Sequence, residues 1–285
     1  MEVLLPRSLD EALELKAAHP DAVPVAGGTD LMVAVNFGRT RPPALLDLSR
    51  VSELKTWNAD NGRVHLGAGV TFARIERELK AFRPLAEASR SVGSPQIRNR
   101  ATIGGNLGTA SPAGDGLLPL AAYDADVVVA SRGGLRSEPW HTFFLAPKRT
   151  TLAPDELIAG VEWNRVDGPG SFSKIGTRNA MVIAIAGLCL QLDAASRSVR
   201  VALGSVGPTI LRAPEAEAFA ATTITWDEPD RPLDDASVAE FGELTARAAT
   251  PIDDLRGTAA YRRHAVAVLA RRALRWCVSD WSAAW

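Results

Sequence analysis

Cysteine is nearly absent: Cys189 and Cys277 are the only two in 285 residues. Two thiols are too few for a disulfide framework or for a cysteine-ligated iron–sulfur cluster, and they suit a reducing compartment. Charge of one sign is absent too, since 32 basic side chains face 33 acidic ones and the formal net charge is -1. Nothing in that balance attracts nucleic acid or an anionic membrane surface. No apolar run reaches the roughly 20 residues that cross a bilayer. The start, Met1-Glu2-Val3-Leu4-Leu5-Pro6-Arg7, lacks the basic region and long apolar stretch of a signal peptide, so a cytoplasmic protein is expected. The four histidines (His19, His65, His141 and His264) are scattered, and no His/Cys group has metal-ligand spacing. There is no Gly-x-Ser-x-Gly elbow and no P-loop. Asp124 with Asp126, and Asp253 with Asp254, read most simply as turn and helix-cap residues. No catalytic side-chain set and no metal site are therefore expected, and a bound cofactor is expected to carry any reaction.

What is present is an ordinary globular composition, 46% hydrophobic and 23% charged, in a chain long enough for two domains. Ser8-Leu9-Asp10-Glu11 is a capping box that opens a helix ending near Pro20, with Leu9, Leu13 and the stem of Lys16 on one face. Strands are expected over Val23–Val25, Ala44–Leu48, Arg63–Leu66, Asp126–Ser131 and Leu157–Trp163, and Gly133-Gly134 turns the chain back after the fourth. Phe72, Ile75, Leu79 and Phe82 mark an amphipathic helix, followed by short helices over Leu85–Val92 and Leu117–Tyr123. Gly67-Ala68-Gly69 follows a strand and precedes a helix, but Phe72 occupies the third glycine position of a dinucleotide fingerprint, so it reads as a tight connection. Asp167-Gly168-Pro169-Gly170 is the strongest punctuation and marks a domain boundary. Beyond it, Ser171–Ile175, Met181–Leu192 and Val199–Val206 read as an antiparallel sheet, and Asp234–Thr250 and Thr258–Val278 as helices. In the last helix Val266, Leu269, Ala273 and Trp276 are the expected buried stripe, with the arginines as its solvated face. The tail from Ser279 to Trp285 carries indoles that are expected to be exposed.

Two glycine-rich stretches stand out. Ala101 to Asp115 is too rich in Gly, Ser, Thr and Asn for a core strand or a helix interior, and it supplies small side chains and unpaired N–H groups that favour an anion. Pro24-Val25-Ala26-Gly27-Gly28-Thr29-Asp30 is a second Gly-Gly turn, placed before a helix over Leu31–Val35 whose dipole adds about 0.3–1 kcal/mol for an anion. Two such turns can close on one diphosphate.

The ordered pair Ala26-Gly27-Gly28-Thr29-Asp30 and Ala101-Thr102-Ile103-Gly104-Gly105-Asn106-Leu107 resembles the FAD-binding medium subunit of the molybdenum hydroxylases, the xanthine dehydrogenase and aerobic carbon monoxide dehydrogenase family. The resemblance runs nearly end to end. It includes Ser111-Pro112-Ala113-Gly114-Asp115, Phe143-Phe144 before Lys148-Arg149-Thr150, Phe172-Ser173-Lys174 with Arg178, and Asp254-Leu255-Arg256-Gly257-Thr258-Ala259-Ala260-Tyr261-Arg262-Arg263.

It implies an α+β protein: a two-subdomain FAD-binding domain of the vanillyl-alcohol-oxidase (PCMH) type over 1–168, with subdomains about 1–55 and 56–168 and FAD extended between them. A carbon monoxide dehydrogenase flavoprotein C-terminal-like domain, a three-stranded antiparallel sheet with a helix bundle, follows over 169–285. Ala26, Gly27, Gly28, Thr29, Asp30 and Leu31 are implied at the diphosphate. Thr102, Gly104, Gly105 and Asn106 hold diphosphate and ribityl from the other side, and Asp115 meets the adenosine half. Val92, Gln96, Ile97 and Ala101 line flavin or adenine, with Leu152 and Lys174 beside the isoalloxazine ring and Arg178 near it. The implied role is electron transfer: from [2Fe–2S] clusters of a small subunit, fed by molybdopterin in a large subunit, through FAD to an acceptor such as NAD. A heterohexamer, a dimer of heterotrimers, is implied. Thr29 and Asp30 stand where carbon monoxide dehydrogenases tend to have His and Ser, which argues against carbon monoxide as the substrate of the complex. The rival readings are a self-sufficient flavin reductase or oxidase on the same fold, and a non-catalytic nucleotide-binding assembly protein.

Overall fold

The structure, a computed structural model, describes residues 1–228 and 230–283. The first elements are β1 (Glu2–Leu4), α1 (Leu9–Ala18), β2 (Val23–Val25), α2 (Leu31–Asn36), β3 (Ala44–Asp47), β4 (Trp57–Asp60) and β5 (Arg63–Gly67). Helices α3 (Phe72–Glu78), α4 (Arg83–Ser91), α5 (Pro95–Arg98), α6 (Ile103–Thr109) and α7 (Leu117–Ala122) follow. Next come β6 (Asp126–Ser131), β7 (Gly134–Pro139), α8 (Trp140–Phe143), β8 (Phe144–Ala146), β9 (Arg149–Thr150) and β10 (Leu157–Asn164). The last stretch holds β11 (Gly170–Ile175), β12 (Ala186–Asp193), β13 (Ser198–Gly204), β14 (Leu211–Arg212), α9 (Pro214–Thr223), α10 (Asp235–Arg247) and α11 (Ala259–Ser282). The chain forms two compact units. One comprises Met1–Ile75, Ser94–Ser111 and Asp124–Asn164, and the other Glu76–Gly93, Pro112–Tyr123 and Arg165–Trp285.

The first unit contains a parallel sheet in the order β1-β3-β2. Pro24 sits in the edge strand β2, where a missing N–H breaks no inner ladder. Helix α1 is capped as its sequence predicts: the Glu11 N–H donates to Ser8 Oγ at 3.1 Å, while the Glu11 carboxylate reaches back to the Arg7 N–H at 2.7 Å. Lys16 is buried, and its ammonium donates to the Pro20 and Ala22 carbonyls at 2.7 and 2.8 Å, so its charge is satisfied where the helix ends. A second, antiparallel sheet runs β4-β5-β10-β6-β7. Its core face is set by register. Val161 lies opposite both Leu66 and Val127, and Trp163 lies opposite Val64, all buried.

The second unit is built on the antiparallel sheet β11-β12-β13-β14, in which the two-residue β14 extends the three strands expected. Alternation explains why β12 reads as an unbroken apolar run. Leu188, Leu190 and Leu192 join the cluster formed with Phe241, Val266 and Ala270 of the helices. Gly187 and Gly204 face the other way, where Leu118 of α7 lies against them. Both faces are covered, so the strand carries no polar alternation. The strand begins only at Ala186, because Met181 takes a left-handed φ of 52° and Arg178 draws the Met181 carbonyl into a local turn.

Three expectations are corrected here. Residues 103–109 are helical rather than looped: Thr102 caps the turn, and absent side chains at Gly104 let α6 lie on the backbone of Ala68. Trp276 is half exposed, whereas Val266, Leu269 and Ala273 are buried as expected. Trp281 is buried, its ring 5.4 Å from that of Trp226, because α11 continues to Ser282; Trp285 and Pro229 lie outside the described residues.

Asp254 closes the loop before α11. Its carboxylate accepts the Arg256 N–H at 2.7 Å and Arg262 Nη2 at 2.6 Å, and these bonds hold its pKa at about 2. The folded value lies below the ordinary 3.8, so this stabilisation is complete above the unfolded value and is lost as pH falls through about 2. Urea unfolding between pH 5 and pH 2 is expected to show an acid limb that Asp254→Asn flattens.

Candidate cofactor site

The first turn begins where β2 ends. Gly28 has φ +71°, a conformation glycine takes at no steric cost. Gly27 is required for a different reason: a Cβ built on it would lie 2.0 Å from the carbonyl oxygen of Arg100. The turn is thus pressed directly against the chain leading into Ala101 and Thr102. Among the described residues, no acceptor is found for the N–H groups of Gly27, Gly28, Thr29 or Asp30. Four successive free donors in one tight turn form an anion-receptive nest. The helix after it is short, six residues with none buried, and the Asp30 carboxylate stands exposed at its start without capping it. The electrostatics of this corner therefore come from the turn's donors rather than from a long helix dipole.

The second stretch differs from expectation. Its free N–H groups are not there, because the first turn of α6 is fully bonded. Ile103 donates to Val70 O at 3.1 Å, Gly104 to Ala68 O at 2.8 Å, Asn106 to Thr102 O at 3.0 Å and Gly105 to Thr102 Oγ1 at 3.0 Å. What the stretch offers is space and one acceptor. A Cβ on Gly104 would lie 2.5 Å from Ala68 Cβ, so that glycine serves packing. Gly105 is exposed, and a Cβ there would meet only Thr102 Oγ1, at 3.2 Å. A helix-interior glycine costs about 0.5–1 kcal/mol against alanine, and the fold itself does not require this one. Asn106 Oδ1 beside it is buried and accepts no hydrogen bond. An orphaned acceptor next to an open glycine fits a bound group that carries hydroxyls and approaches the backbone closely. Donors for phosphate and an acceptor for hydroxyl are what an FAD diphosphate and ribityl chain require.

The remaining candidates are distributed as follows. Ala101 is buried, and Gln96 and Ile97 are exposed on α5, which Ser94 caps at 3.3 Å. Leu152 is half-buried beyond β9. In the second unit, Val92 is half-buried at the end of α4, and Arg178 Nε donates to Met181 O at 3.0 Å. Lys174 and Asp115 bond each other at 2.5 Å, both largely buried. That pairing overturns the division of the two between opposite halves of an extended FAD, since one point in space cannot serve both ends. Lys174 also donates to Ser91 O at 3.0 Å and Val182 O at 3.2 Å, so its three ammonium protons are all engaged. Burial raises the Asp115 pKa, with Lys174 opposing it. The sequence missed Ser91, whose hydroxyl lies 2.9 Å from Asp115 Oδ2, and the backbone walls of Arg100 and Ala68. No local signal marks these, because each acts across a long separation in the chain.

The fold, with free donors at one turn and an orphaned acceptor beside another, fits a nucleotide-cofactor protein. Residues 1–163 match the family described as FAD binding domain in molybdopterin dehydrogenase, and residues 171–277 match the CO dehydrogenase flavoprotein C-terminal domain. The chain belongs to this family, the FAD-binding subunits of the molybdenum hydroxylases. It is 36% identical to the nicotinate dehydrogenase FAD-subunit of Eubacterium barkeri over 65% of this chain and 66% of that one. It is 30% identical to the nicotine 6-hydroxylase medium subunit of Paenarthrobacter nicotinovorans over 94% of each. Among solved structures it is similar to carbon monoxide dehydrogenase from Hydrogenophaga pseudoflava, with TM-score 0.87, 27% identity and 98% of both chains covered. These relatives are the FAD-subunit of a dehydrogenase and the medium subunit of a hydroxylase, and this chain is an oxidoreductase subunit whose cofactor is FAD. Among the described residues no helix is long and apolar enough to cross a membrane.

Proposed function

We propose that this chain carries electrons through FAD, from the [2Fe–2S] clusters of a small subunit to an acceptor such as NAD. The large subunit of the same cytoplasmic complex, a dimer of heterotrimers, holds the molybdopterin where substrate is hydroxylated. The observation that carries the reading is the run of free N–H groups at Gly27 to Asp30, pressed against the stretch that bears Gly105 and Asn106. Bound FAD supplies the exchange between single electrons and an electron pair. The protein's own part is to hold it. The 27–30 donors take the diphosphate, Asn106 Oδ1 accepts a hydroxyl, and Gly105 admits the chain close to the backbone.

The test is an absorption spectrum of the chain co-expressed with its genomic neighbours, followed by dithionite titration. Flavin bands overlaid with iron–sulfur absorbance, in a particle of hexamer mass, are expected. Flavin alone in a monomer that turns over by itself would point to the self-sufficient enzyme. A colourless protein that takes up no added FAD would sink the reading.

A further inference from the structure

The segment after β9 is held by more than a surface loop needs. Arg136, on β7, grips Glu156 with two parallel bonds, Nε to Oε1 at 2.7 Å and Nη2 to Oε2 at 2.8 Å, and reaches Glu138 Oε2 through Nη1 at 2.5 Å. Each carboxylate then holds one residue of the segment. Glu138 Oε2 accepts from Thr151 Oγ1 at 2.6 Å, and Glu156 Oε2 accepts from the Ala153 N–H at 2.8 Å. The glutamate side chains are only 14% and 13% exposed, and both have pKa values lowered, Glu156 chiefly by Arg136 and Glu138 by Thr151 and Arg136 against its burial. The residue between the two anchored positions is Leu152. The near end of the segment is fixed as well, since the Lys148 N–H donates to Ala110 O at the C-cap of α6 at 3.1 Å. The network thus ties 148–153 to the helix that carries Gly105 and Asn106.

We propose that Arg136, Glu138 and Glu156 are positioning residues for FAD, which hold Leu152 and its neighbours as a preorganised wall beside α6. This rests on the FAD reading above. A planar guanidinium with a bidentate carboxylate fixes orientation as well as distance, which an ammonium cannot do. A wall held in one geometry loses less freedom when the cofactor arrives.

The test uses the full chain in its complex, stripped of flavin and titrated with FAD. It follows the dissociation constant, the visible circular dichroism of the bound flavin and the melting temperature of the flavin-free protein. Arg136→Met is expected to weaken FAD binding about tenfold, the scale of one lost charge-assisted bond, and to alter the visible dichroism. Arg136→Lys is expected to recover part of the affinity but not the wild-type dichroism. Leu152→Ala is expected to cost affinity in the wild type and nothing further in Arg136→Met. If Arg136→Met does not fold, Glu156→Gln, which keeps shape and still accepts from Ala153, is read in the same way. A lower melting temperature with unchanged affinity and dichroism would reduce the network to a structural staple and overturn the proposal alone. A wild-type complex that takes no FAD would overturn the functional reading first.

Discussion

Gly27→Ala is expected to leave the protein unable to retain FAD. The new methyl would lie 2.0 Å from Arg100 O, 2.5 Å from Arg100 C and 3.0 Å from Ala101 N, all backbone atoms that no rotamer change can move aside. The turn must retreat, and the four free N–H groups retreat with it from the stretch they face. Overpacking of this kind costs about 3 kcal/mol, or two orders of magnitude in an FAD binding constant. The informative partner is Gly105→Ala. There the new methyl would meet only Thr102 Oγ1, at 3.2 Å, so a small shift of that cap admits it and the flavin-free protein is expected to keep its stability to within about 1 kcal/mol. If the dinucleotide approaches that backbone, its affinity nevertheless falls at least about tenfold, since the methyl takes the space. For Gly105→Ala, FAD affinity is therefore expected to fall with little change in melting temperature, and for Gly27→Ala both are expected to fall. A Gly105→Ala protein that binds FAD like the wild type would show that the open side of α6 is not the seat of the cofactor.

Arg262→Met is expected to destabilise the second unit more than any other single change on α11. Arg262 is 4% exposed. Its Nη1 donates to Ile185 O at 3.0 Å and Ser205 O at 2.6 Å, and its Nη2 to Asp254 at 2.6 Å. One guanidinium thus ties the start of β12, the turn after β13 and the loop before α11. Methionine fills much of the volume but leaves two carbonyls without this donor and Asp254 with Arg256 alone. Leaving a buried carbonyl without its donor costs about 1–3 kcal/mol, and two lose theirs here. For a unit of this size that corresponds to a fall in melting temperature of roughly 10 °C. Arg263→Met, at an exposed neighbour, is expected to change stability by less than about 0.5 kcal/mol. Calorimetry on both variants separates the two cases, and equal losses would mean that the buried network is not what holds these segments.

Arg262 also shows where reading the chain in order fails. Its helix was legible, since Thr258 caps it and the apolar positions recur at helical spacing. Which of its arginines points inward was not, because the acceptors come from Ile185, Ser205 and Asp254, three separate loops. Trp276 fails in the other direction: its spacing fits the buried stripe, yet the residue is 48% exposed. The glycine-rich stretches divide in the same way. Both stood out in the sequence, within motifs that run nearly end to end along the chain. Free N–H groups were expected in the second stretch, but they are found at Gly27 to Asp30, and the second stretch is folded into a capped helix.

The sequence by itself determined most of the larger elements, among them α1, β6, β10 and α11, and the family to which the chain belongs, whereas β1, β4, α8 and α9 were not read from it. The elements that were read, like the family, depend on caps, turns and periodicities that act over a few residues, or on motifs carried whole. Only the tertiary structure decided which glycines are demanded by the fold and which are left open, that Asp115 and Lys174 bond each other, and that Arg262 is buried. Each of these is a contact between segments far apart in the chain, and its energy depends on which atoms arrive from elsewhere rather than on the neighbours along the sequence.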